Sequence, residues 1–134
     1  MKLPSILLTL LVLLPTQNVP AWSLSREEFA QLQEHNSRGN TYMGQRNFQY
    51  ALNEYNTCLE IDPTNQVAKD NIVLLHNNWG ASLFQQKKFH EAKQQWEQAL
   101  KLNPHDHNAL HNMAYLKATL DKLGIPLDSD EQQA

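Results

Sequence analysis

His105, His107 and His111 crowd one stretch of this 134-residue sequence, the last two four positions apart. Four residues are roughly one helical turn, so both imidazoles would stand on one face and could grip a metal ion from that side. A metal site needs a further ligand, and no third one is identified. His76 belongs to another helical stretch, and Asp106 reads more simply as the cap of the helix behind it. Cys58 is the sole cysteine and falls at a small-residue place on an apolar stripe, where a thiol is packed and inert rather than exposed and activated. No glycine-rich phosphate loop occurs, and the carboxylates are scattered over polar faces without a paired acid and base. These residues predict neither an enzyme nor a cofactor.

Asparagine is the residue type that asks for a reason. Asn36, Asn40, Asn77, Asn78, Asn108 and Asn112 all lie inside helical stretches. There the residue costs roughly a few tenths of a kcal/mol against alanine. Each side-chain amide offers one donor end and one acceptor end, which matches the backbone of an extended peptide.

The elements that must hold these side chains are written twice. NFQYALNEYNTCLEIDP (47 to 63) and KFHEAKQQWEQALKLNP (88 to 104) place Phe48, Ala51, Leu52, Tyr55, Cys58 and Leu59 opposite Phe89, Ala92, Trp96, Ala99 and Leu100. Spacings of three and four make one buried helical stripe. Ile61 and Leu102 continue it until Asp62-Pro63 and Asn103-Pro104 stop the helix, because proline lacks an amide proton and restricts its predecessor. Upstream of each copy a second helical stretch carries a glycine in register, Gly39 and Gly80. Small residues at matching places let two helix backbones approach closely, with Tyr42 and Leu83 filling the space beside them.

This helix-turn-helix unit, with glycine, tyrosine or leucine, alanine, aromatic, alanine and proline in fixed order, resembles the tetratricopeptide repeat. The resemblance covers about 32–65 and 73–106, and the helical stretch 107–123 supplies a half unit that would cap the array. It implies an all-α solenoid of antiparallel helix pairs, about five helices, with a concave wall built from the inner helix of each pair. One unit cannot bury its own apolar face, but stacked units share a core. The prolines are 41 residues apart where the family has about 34. The extra stretch, 66 to 72, is about two helical turns and would lengthen the second inner helix after a cap at Thr64 or Asn65. Ser25 with Glu28 forms a capping box that starts the first inner helix early, ahead of Phe29 and Leu32. Arg38 and His35 replace the leucine and the aromatic usual in the family, at the exposed start of the array. Lys117 replaces Tyr42 and Leu83 where no outer helix follows.

The family binds ligands mainly on its inner helices, which implies a peptide-binding wall of Asn36, Asn40, Met43, Asn77, Asn78, Phe84, Asn108, His111, Asn112 and Tyr115. In the cationic clamp that grips chaperone carboxylates, Asn40 and Asn78 match two asparagines, yet the three basic positions are Asn36, Asn108 and Asn112. No charge is left to offset carboxylate desolvation. In the asparagine ladder that holds a peptide main chain, Asn78 and Asn112 match and Ser37 fills the first rung, so the ladder fits better. The expected function is therefore a non-enzymatic protein- or peptide-binding adaptor, scaffold or assembly factor. Self-association into a homo-oligomer is the alternative and metal binding a distant third.

The two ends carry separate expectations. Residues 1–21 have Lys2, an apolar run from Leu3 to Leu14, and Ala21 after a polar stretch, the form of a cleaved secretory signal. The run is shorter than the roughly 20 residues that span a bilayer, so a secreted or periplasmic product without a membrane span is expected. Residues 22–124 form the repeat domain and 125–134 a disordered acidic tail. Eleven basic against fourteen acidic residues give a net charge of −3, which disfavours nucleic acid as a partner.

Overall fold

The computed structural model describes residues 23–127; the expected signal segment and the last seven residues lie outside that range. Five helices follow one another: α1 (Arg26–Gly44), α2 (Phe48–Ile61), α3 (Gln66–Gln85), α4 (Phe89–Leu102) and α5 (His107–Leu123). They form an all-α array in which α1 pairs with α2 and α3 with α4, while α5 closes the end. No described helix is long and apolar enough to cross a membrane.

Local chemistry sets the ends. Ser25 Oγ accepts from the Glu28 amide at 3.1 Å and the Ser25 amide donates to Glu28 Oε2 at 2.8 Å, so the capping box starts α1. Asn65 and Asp106 start α3 and α5, each side chain accepting from the amide three residues on. α3 runs for 20 residues against 19 in α1 and thus absorbs the extra stretch after Asn65. Arg46 and Lys87, both at φ 60°, close α1 and α3, with the next amide reaching back to Tyr42 O and Leu83 O. Gly124 at φ 69° does the same for α5.

The two pairs lock alike. Ala51, Tyr55 and Cys58 of α2, and Ala92, Trp96 and Ala99 of α4, are buried. A Cβ on Gly39 would sit 2.5 Å from Tyr55 Cε1, and one on Gly80 would sit 2.5 Å from Trp96 Nε1. Glycine is the only residue that lets these rings lie on the inner helix backbone. The Trp96 indole donates to Asn77 O at 3.2 Å, and the Tyr55 hydroxyl donates to Asn40 Oδ1 at 2.8 Å.

Three expectations need correction. Arg38 and His35 do not simply face solvent: Glu54 of α2 receives His35 Nδ1 at 2.7 Å and Arg38 Nη2 at 2.8 Å, so a charged bridge replaces the apolar contact. Leu102 is half exposed, whereas Ile61 joins a cluster with Leu24, Leu32 and Ala68. Ile125 and Leu127, assigned to a disordered tail, pack on the last cluster with Leu116 and Leu120, because the open side of α5 offers apolar surface. Lys117 remains exposed and pairs with Asp121 at 2.8 Å.

Candidate peptide-binding face

The inner helices α1, α3 and α5 carry all the residues expected to touch a ligand, and the structure divides these into two groups. Asn36 and Asn77 are engaged between helices. Asn36 Oδ1 accepts from Asn71 Nδ2 of α3 at 2.7 Å, and Asn77 Nδ2 donates to Asp106 Oδ1 at the start of α5 at 2.8 Å. Each therefore pins one inner helix to the next. Asn77 is 5% exposed and its Oδ1 has no hydrogen-bond partner.

The second group faces outward. Asn40 is exposed although its carbonyl holds the Tyr55 hydroxyl. Asn78 and Asn108 are exposed and Asn112 is half-buried, and none of the three makes a side-chain bond to a described residue. Met43 packs half-buried against the first core. Ser37 is exposed on α1, its carbonyl accepting from Thr41.

Aromatic surface lies beside these amides. Phe84 packs among Phe89, Trp96 and Tyr115 with ring centroids 5.3, 6.0 and 5.5 Å away, so it is partly core and partly wall. Tyr115 is 58% exposed and extends that cluster to the surface. Spacings of three and four set Leu74, Asn77, Ala81 and Phe84 along one line of α3. On α5, Asn108, His111, Asn112 and Tyr115 form the facing line, and the Phe84–Tyr115 contact joins the two.

His107 and His111 are exposed with rings 6.4 Å apart, and among the described residues no group of three His, Cys, Asp or Glu side chains could hold a metal ion. His76 points elsewhere: it is buried, bonds Gln95 Oε1 through Nδ1 at 2.8 Å and stacks near Trp79. Cys58 is buried against Leu32 O, and burial pushes its thiol pKa up, away from reactivity. Sequence reasoning overlooked Asp70 and Asn71, which sit in the stretch taken as a spacer. Their placement at the start of a capped, lengthened inner helix was the available signal.

A sequence profile of the tetratricopeptide repeat matches residues 33–65 and 73–106, together half of the chain. With the paired helices and their glycine contacts, the fold is that of a helical repeat protein. The chain belongs to the tetratricopeptide repeat family, whose repeats generally mediate protein–protein interaction. Neither a curated protein nor a solved structure matches it.

Proposed function

We propose that the chain is a non-enzymatic adaptor that binds an extended segment of a protein partner along the face of α1, α3 and α5, after export through its leader. One observation carries this reading: Asn78 and Asn112 leave their amides uncommitted on the same helices that bring Phe84 and Tyr115 together. Amides with both a donor and an acceptor free can hold a main chain, and the aromatic pair supplies apolar contact. The test is affinity capture by the full chain with mass spectrometry, repeated with Asn78→Ala and Asn112→Ala combined. Loss of the captured partner with unchanged circular dichroism supports the face, and undiminished capture removes it.

A second reading, association between copies, draws on Phe29 and Leu123, apolar side chains 56% and 57% exposed on the first and last helices. Light scattering across a concentration series separates it, because a stable dimer would favour the architectural role.

A further inference from the structure

Among the described helices, α5 is the inner helix on which no outer helix lies. The face of α3 that carries Val73, His76 and Gly80 is buried, with the Trp96 ring of α4 against Gly80. Thirty-four residues on, the matching face of α5 carries His107, Leu110 and Ala114, and all three are exposed. Lys117, Ala118 and Asp121 continue it and are exposed too. Spacings of three and four hold these side chains in one stripe along the whole helix. Ile125 and Leu127 cover Leu116 and Leu120 and leave the stripe open. Its middle, Leu110, Ala114 and Ala118, is apolar, while His107 and Asp121 stand at its ends. An apolar centre inside a polar rim is the arrangement of a contact surface.

We infer that α5 pairs with α5 of a second copy, antiparallel, about a two-fold axis beside Ala114, a step that rests on the association reading and is independent of the peptide-binding one. A two-fold axis demands a patch that fits itself. This stripe does. Residues equally far from Ala114 on either side come to one level, so Leu110, four residues before it, packs beside Ala118 of the second copy, four residues after. Large meets small, twice over. His107 comes level with Asp121 of the second copy, an N–H donor beside a carboxylate. Lys117 keeps the bond to its own Asp121 at 2.8 Å, since a carboxylate accepts from more than one donor, and its stem lies over Leu110 of the second copy. Ala114 has nothing beyond Cβ, so the two backbones can come close.

The direction follows from the charges. A parallel pair would set Asp121 against Asp121 and His107 against His107, like on like, which disfavours association. The complement the stripe requires, a small residue opposite Leu110 and an acid opposite His107, is the stripe itself read backwards. A contact one helix long is small, so the dimer is a weak one.

The experiment is sedimentation velocity of the full chain from about 10 µM to about 1 mM, for the parent and for Ala114→Arg. The position is exposed and arginine is a good helix former, so the fold is kept, and circular dichroism checks it. A concentration-dependent dimer is expected for the parent, with association about 10-fold or more weaker in the variant, because two guanidinium groups then meet at the axis. The register is read by Ala114→Cys, which the two-fold sets against its own counterpart. Cys58 is buried, so the added thiol is the reactive one. With oxidised glutathione Ala114→Cys should give a covalent dimer, and Ala30→Cys, exposed on α1, should not. A dimer that survives Ala114→Arg, or cross-linking no faster at Ala114→Cys than at Ala30→Cys, overturns the α5 pairing and leaves association to Phe29 and Leu123. A parent that stays monomeric throughout overturns the pairing and the association reading together, and neither outcome touches the peptide-binding face.

Discussion

His76 of α3 donates from Nδ1 to Gln95 Oε1 of α4 at 2.8 Å, and the same link recurs one repeat earlier, where His35 Nδ1 lies 2.7 Å from Glu54 Oε2. Both links join an inner helix to its outer helix at equivalent positions. They differ in burial and in charge. Trp79 stacks near His76 and on Phe48, shielding the second link, whereas Arg38 fills the equivalent place in the first and shares Glu54.

The buried link makes stability depend on pH. Burial holds the His76 pKa below its ordinary 6.5, with the Gln95 bond working the other way. The unfolded chain then takes up this proton first as pH falls. The contribution is intact above the unfolded value and is lost on acidification from about pH 6.5 through the folded value. Urea unfolding at about pH 7.5 and about pH 5.5 should show a larger loss for the parent chain than for His76→Gln. Equal losses would assign the effect to other groups.

Gly80→Ala should destabilise by about 2 kcal/mol, since the new methyl meets a fully buried indole that has nowhere to move. Gly44→Ala meets nothing within 4 Å and should stabilise, by up to ~1 kcal/mol. Thermal melts of the two variants should shift in opposite directions.

Lys87 holds a left-handed backbone at φ 60° without glycine's freedom. Lys87→Gly relieves about 1–2 kcal/mol of steric cost and gives back part of it as chain entropy. A net gain of roughly 0.5 kcal/mol in denaturant unfolding is expected, and a loss would mean that the lysine stem packs usefully.

Asp106 Oδ1 accepts from both the Ala109 amide and Asn77 Nδ2. Asp106→Ala removes a helix cap and leaves Asn77 with neither end paired, so about 2 kcal/mol should be lost. Asp106→Asn keeps an acceptor there and should stay within about 0.5 kcal/mol of the parent in the same melts.

Much of the architecture was legible because its causes are local. The stripe from Phe48 to Leu59, the stops at Pro63 and Pro104, and the starts at Ser25 and Asp106 each depend on neighbours within a turn or two. What escaped depends on how one helix meets another. Nothing near His35 or Arg38 announces that Glu54 is the partner of both. Asn77 and Asn78 are adjacent and identical in type, yet one is sealed under α5 and the other open. Only the rotation of α3 against the next helix decides which is which. Asn71 was hidden for a related reason: its role appears only once the added turns of α3 bring it beside Asn36.

α3 touches every other described helix: α2, α4 and α5 through packing, and α1 through Asn71. In a long array a damaged unit can fray while its neighbours stand, but here the loss of the middle helix strips packing from α2, α4 and α5 together. A single protease cut within α3 should therefore release the whole molecule to further digestion at once, so its lifetime against proteases would hang on how seldom that one rod opens.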